Sequence, residues 1–212
     1  MKTVRAKTRD TATPTQAGRP DAKTDGRAER SLTTRRRIVE ALTALIHEGD
    51  LTPTAEAVAR RAQVGLRTVF RHFEDMDTLY REIRIDLDAL LQPLLQARLD
   101  GQTWQERVLQ SIGHRAGIFE RLAALHVGAQ VHRHESAFLS QDLMESARLQ
   151  RDFLQRLLPA EVAANTPLLD ALDLALSIEA WIRLRREQGL SEHQASRVVH
   201  LTVEALLASV PG

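Results

Sequence analysis

The sequence predicts an all-α protein of about nine helices. Three observations carry this. β-branched residues never alternate with polar ones over the length of a strand. Leu, Ala, Arg and Glu dominate, while aromatic residues make up only 4% of the chain. Apolar residues return at helical spacing between clear capping signals. At 212 residues the chain can bury a core without staples. It contains no cysteine, which removes disulfides, Cys-based zinc sites and thiol nucleophiles. No run approaches the ~18 apolar residues of a membrane span, and the first 30 residues lack the apolar stretch of a secretory signal. A cytoplasmic protein with no membrane partner is expected.

Charge is unevenly placed. The formal net charge is +1, yet residues 1–37 hold 11 basic and 4 acidic side chains, against 18 and 24 in the remainder. A basic end on an acidic body points to a polyanion partner at that end. Residues 1–30 are expected to form a disordered basic arm, because they carry too little apolar surface to offset their ordering entropy. The arm is either a leader remnant without function or a segment that tracks phosphates.

The first helix is expected over about 33–48, with Ile38, Ala41, Leu42, Leu45 and Ile46 on one face and Gly49 as its stop. Two short helices follow, about 54–61 and 66–72, then a long one from about 76 into Pro93. Thr103-Trp104-Gln105-Glu106 is a capping box opening a helix to about 131, with one break expected near Gly113–Gly117. A further helix spans about 135–158 and stops at Pro159. Thr166 is read as the N-cap of the next, with Pro167 at its first position. Ser191-Glu192-His193-Gln194 is a second capping box, opening the last helix.

Residues 52–80 read TPTAEAVARRAQVGLRTVFRHFEDMDTLY. Ala55, Val58, Ala59 and Ala62 make a narrow face of small residues that lets a second helix approach closely. Gln63-Val64-Gly65 is a tight turn, with Val64 as an apolar plug and Gly65 as the next N-cap. Val69 and Phe73 face inward, leaving Leu66, Arg67, Thr68 and Arg71 near the outer, N-terminal end. This is a helix-turn-helix, whose second helix enters a DNA major groove.

The segment resembles the TetR family of bacterial transcriptional regulators over about residues 33–80. The resemblance rests on the small-residue second helix, on Thr68 to Phe73 (Thr-Val-Phe-Arg-His-Phe), and on Asp75-Met76-Asp77-x-Leu79-Tyr80. It implies a DNA-binding unit over 31–77 and a ligand-binding and dimerisation domain over 78–212. It also implies a homodimer on double-stranded operator DNA, acting as a repressor released by a small, largely apolar effector. By position, Leu66 and Arg67 become base-edge readers, and Thr54, Thr68, Phe70, Arg71 and His72 phosphate or mixed contacts. Three positions depart from the family pattern: Gly65 for Ser, Phe70 for Tyr and Met76 for Lys. Arg35, Arg36 and Arg37, read as a helix's first turn, oppose its macrodipole there and are expected to clamp phosphate beside the groove.

Residues 171–184 place ten apolar side chains in 14 positions, more than one stripe needs. The last helix repeats the excess, with Val198, Val199, Leu201, Val203, Ala205, Leu206 and Leu207. A twofold dimer through the last two helices (about 167–188 and 191–209) is expected to cover them. Trp104, Phe119, His126, His132, Phe138, Met144, Phe153 and Trp181 are candidate ligand-lining residues, with ordinary core packing as the alternative for each.

Neither metal nor catalysis is expected. His132 and His134 stand at i, i+2, on different helix faces, and no His-x-x-x-His spacing occurs. There is no phosphate loop or nucleophile elbow, so the reading is no enzyme and no cofactor. The alternative to a ligand-released regulator is a DNA-binding architectural or cofactor protein on the same fold with no inducer.

Overall fold

The computed structural model describes residues 22–96 and 98–209, and among these every regular element is helical. In chain order they are α1 (Ala22–His47), α2 (Ala55–Arg61), α3 (Leu66–His72), α4 (Met76–Leu95), α5 (Trp104–His132), α6 (Ala137–Leu157), α7 (Ala160–Ala163), α8 (Thr166–Ala175), α9 (Ile178–Ile182, continuing as a π turn over Arg183–Glu187) and α10 (Glu192–Ala208).

Residues 1–21 of the expected arm lie outside the described residues. From Ala22 onward the chain is already helix, so α1 starts eleven residues before the expected position. It runs through Thr33 and Thr34, whose hydroxyls donate to the carbonyls of Glu29 and Arg30 at 2.9 Å, satisfying two side chains that are poor in a helix interior.

The two turns that follow share one motif. After α1, Gly49 N–H donates to the Ile46 carbonyl at 3.1 Å and Asp50 N–H to that of Leu45 at 3.0 Å. After α2, Gln63 N–H donates to Arg60 at 3.1 Å and Val64 N–H to Ala59 at 3.0 Å. Both are Schellman stops. Gly49 holds φ +101° without strain, whereas Gln63 holds φ +53° with a side chain that disfavours it.

Four boundaries differ from expectation. α4 passes Pro93 and closes one further turn, with Gln96 N–H donating to the Gln92 carbonyl at 3.0 Å. α5 is unbroken at Gly113 and Gly117, because a glycine costs only about 1 kcal/mol in a helix and the opposite face (Val108, Ile112, Ala116, Phe119) is buried. Asn165, not Thr166, caps α8. The expected 167–188 helix is interrupted at Leu176–Ser177. There Ser177 Oγ donates to the Leu174 carbonyl at 2.8 Å and accepts from Ala180 N–H at 3.1 Å, ending one helix and starting the next. Both capping boxes form as read.

Two apolar cores result. One joins α1, α2 and α3 through Ile38, Leu42, Val58, Val69 and Phe73, and takes Leu79 and Ile83 from α4 and Ala124 from α5. The other gathers α5, α6, α8, α9 and α10 around Ile112, Phe119, Leu154, Leu172, Trp181 and Val203. α5 belongs to both. At about 1.5 Å per residue it is a rod of roughly 43 Å.

Candidate functional site

The second helix of the expected helix-turn-helix is α3, anchored by two side chains. Val69 and Phe73 are 2% and 1% exposed, which fixes the helix's rotation about its axis. On the opposite side Arg67 and Arg71 are exposed and make no hydrogen bond or ion pair with any described residue. Phe70 is half exposed between them. Thr68 is half-buried, and Leu66 packs its side chain partly against the core. Gly65 caps the helix with no side-chain hydrogen bond.

Thr54 caps α2, its Oγ1 accepting from Ala57 N–H at 3.2 Å while the residue stays exposed. Its hydroxyl proton is left for an outside acceptor. His72 differs from its neighbours: its Nε2 is buried without a hydrogen-bond partner. Burial first, then the charges of Arg71 and Arg35, hold its pKa below the ordinary histidine value, so the ring is neutral at physiological pH. A neutral ring with a buried Nε2 offers little to a phosphate.

The basic run on α1 is mid-helix, so it does not oppose a helix N-terminus as the sequence reading supposed. Arg35 Nη1 donates to the His72 carbonyl at 2.6 Å and its Nη2 pairs with Glu82 Oε1 at 2.5 Å. Arg37 Nη2 donates to the Ala62 carbonyl at 2.6 Å. Both arginines therefore satisfy carbonyls at the C-terminal ends of α3 and α2. Arg36 alone of the three is exposed with no hydrogen bond or ion pair among the described residues.

In the body, the eight candidate ligand-lining residues do not converge. Phe119 and Trp181, ring centroids 6.4 Å apart, line a cavity of about 10 Å³, room for one water. Phe153 does not line it, but its ring is 5.4 Å from the guanidinium carbon of Arg115, which does. Trp104 packs on the same core. His126 Nε2 stands 3.2 Å from Glu179 Oε1, joining α5 to α9, and that hydrogen bond holds Glu179 below its usual range. His132 is 6.1 Å from Tyr80 and Phe138 lies 4.2 Å below the Arg81 guanidinium, both toward α4 rather than the cavity. Met144 is half exposed. A shallow open groove of about 440 Å³ also lies beside α5, over Gly113 and Gly117.

Three polar groups escaped the sequence reading. Arg84 of α4 reaches α6, with Nη1 2.6 Å from Asp142 Oδ1 and 2.9 Å from Ser146 Oγ. Glu120 of α5 accepts from Trp181 Nε1 at 2.8 Å and from Arg185 Nε at 2.6 Å and Nη2 at 3.0 Å. Arg115 is buried in the apolar face of α5. The last had a signal: it is a cation within the stripe Val108, Ile112, Arg115, Phe119.

The fold recurs in solved structures. A transcriptional regulator from Rhodococcus sp. Rha1 superposes with a TM-score of 0.62 at 18% identity, over 84% of this chain and 99% of that one. A TetR transcriptional regulator from Rhodococcus sp. RHA1 gives 0.51 at 21% identity, over 85% and 98%. The chain has the TetR-type fold. No family model matches the sequence, and no curated protein does either.

Proposed function

We propose that the chain is a one-component transcriptional regulator that binds operator DNA as a homodimer and is released by a small effector held in the body. The observation that carries this is α3: Arg67, Phe70 and Arg71 exposed on a helix whose other side is locked by Val69 and Phe73. A guanidinium free of internal partners can bridge guanine O6 and N7, and Arg67 stands at the end of α3 that meets base edges first. Leu66, Thr68, Arg71 and Thr54 supply the remaining contacts, with Arg36 of α1 as a further exposed cation. Arg35 and Arg37 act by holding the unit's shape.

Dimerisation is supported by a bare apolar face. Leu174 on α8 and Leu201 on α10 are each 69% exposed and Val198 is 40% exposed, a pattern that a twofold four-helix contact would cover. Two α3 helices could then meet successive major grooves about 34–36 Å apart.

The closed body favours a second reading, an effector-free DNA-binding protein on the same fold, since about 10 Å³ admits no effector as it stands. The two readings share their test at the DNA. Binding to the DNA flanking the chain's own gene is measured across a salt series, with Arg67→Ala and a scrambled duplex alongside. Specific binding that Arg67→Ala loses is expected. Equal affinity for the scrambled duplex overturns the operator-binding regulator, and no binding to either duplex overturns both readings. Release of that complex by a small molecule separates them.

A further inference from the structure

Arg115 is a poorly compensated cation in the body, with the Phe153 ring 5.4 Å from its guanidinium carbon. It is 6% exposed, inside the apolar face of α5. Its Nη1 donates to the Leu176 carbonyl at 3.2 Å and its Nη2 to that of Gln150 at 3.3 Å, while its Nε has no partner. A guanidinium carries five N–H donors, so most of its capacity is idle. No carboxylate hydrogen-bonds to it; Asp173, which acts on it at longer range, is paired with Arg151 at 3.2 Å. Burial lowers its pKa to about 10, which still leaves it charged at neutral pH. A buried cation without a counter-ion is costly, and apolar residues of similar volume serve a purely structural core at least as well.

Arg115 also lines the one-water cavity, whose other walls are apolar: Ile112, Phe119, Trp181 and Val199. The remaining wall is the interruption at Leu176–Ser177. It is built from short pieces, α8, α9 and a π turn, each able to shift without breaking a long helix. π turns inside helices recur at functional sites.

We propose that the effector is an apolar molecule bearing a carboxylate, which pairs with Arg115 when the α8–α9 interruption moves outward and enlarges the cavity. Its carboxylate supplies the missing counter-ion in the bidentate geometry a guanidinium favours, and its apolar part lies against Phe119 and Trp181. The proposal rests on the regulator reading only for its consequence. α5 continues unbroken from Arg115 to Gly128, where an added Cβ would stand 3.5 Å from Ile46 of α1. Any shift of α5 that accompanies repacking around Arg115 is therefore delivered to the core that carries α3.

The test uses the full chain with no DNA present. Decanoate and 4-phenylbutyrate are titrated calorimetrically, and by shift in thermal midpoint, against their methyl esters, with wild type, Arg115→Gln and Arg115→Lys. The acids are expected to bind wild type at least about tenfold more tightly than the esters. Arg115→Gln removes that preference and Arg115→Lys keeps part of it. Esters that bind as well as acids, or acids that do not bind up to millimolar concentration, overturn the proposal. If Arg115→Gln fails to fold, the acid–ester comparison in wild type and Arg115→Lys decides. Failure here leaves DNA binding through Arg67 standing, whereas a chain that binds acids but no specific DNA loses only the regulator reading.

Discussion

The Arg35 guanidinium lies over Phe73, its central carbon 4.3 Å from the ring centroid. Phe73 is the residue that closes α3 and is 1% exposed, so a cation on α1 stacks on the anchor of α3. The same guanidinium donates to the His72 carbonyl and pairs with Glu82 of α4. One side chain thus ties three helices at the point where α3 ends and α4 begins. Together with Arg37 on the Ala62 carbonyl, it turns a basic run into internal scaffolding and leaves Arg36 for the solvent side.

Arg35→Met is accordingly expected to lower unfolding stability by about 1–3 kcal/mol, the range for losing charge-assisted hydrogen bonds and a cation–π contact. Arg36→Ala should stay within about 0.5 kcal/mol of wild type while flattening the log–log salt slope of DNA binding by about 0.9. Urea denaturation and salt-dependent binding measure the two. Equal stability losses in both variants would remove the distinction between brace and phosphate contact.

Gln63→Gly should be stabilising. The position requires φ +53°, which costs a residue with a Cβ roughly 1–2 kcal/mol, and its N–H serves a Schellman stop either residue can make. Glycine's greater unfolded-state entropy offsets part of the gain, about 0.5–1 kcal/mol. A net rise in thermal midpoint is expected; a fall would mean that the Gln63 side chain makes a contact worth more than the strain.

The fold of α1–α3 was largely legible because its signals are local. The small face of α2, the stop after it, Gly65 as cap, and the inward pair Val69 and Phe73 all follow from neighbours within a few residues. What escaped depends on contacts far along the chain. Arg35 finds His72 and Glu82 at separations of 37 and 47 residues, so the sequence displays only its charge. His72 was grouped with outward contacts although its Nε2 is buried. In the body, apolar density at 171–184 concealed the role of Ser177 as a cap. Listing large side chains as ligand-lining missed Arg115, the polar group that gives the cavity chemistry.

Gly113→Ala and Gly117→Ala should each stabilise the protein. Both lie inside α5, where alanine is favoured over glycine by about 0.5–1 kcal/mol, and a Cβ added at either meets nothing within 4 Å. Chemical denaturation of the single and double variants gives the gain. Loss of stability, or a gain in stability with lost response to effector, would show that α5 must bend here during function.

The Glu120–Arg185 pair makes a signed pH prediction. The hydrogen bond from Arg185, the largest effect, with further help from Trp181, holds the Glu120 pKa below the ordinary value of 4.5. A carboxylate whose pKa is lowered on folding contributes stability above its unfolded value and loses that contribution as pH falls through its folded value. Wild type should therefore be more stable than Glu120→Gln at neutral pH, with the gap closing below about pH 4.5. Because Trp181 Nε1 donates to the same carboxylate, indole fluorescence in the native state should change over that acid window. A gap that is constant from neutral to acid pH would assign the pair no role in the linkage.

Leu201→Glu, alone or with Leu174→Glu, tests the proposed dimer. Both leucines are 69% exposed, so a single protomer has little to lose by either change, within about 0.5 kcal/mol. Across a twofold the outcome differs, since each substitution enters twice and buries like charges in one apolar contact. Sedimentation equilibrium should show a dimer for wild type and a monomer of unchanged helicity for the double variant. Operator binding should weaken in step, because a lone α3 reads one half-site and the second major groove goes unengaged. A double variant that stays dimeric would place the interface elsewhere, and one that is monomeric yet binds the operator as wild type does would separate dimerisation from DNA recognition.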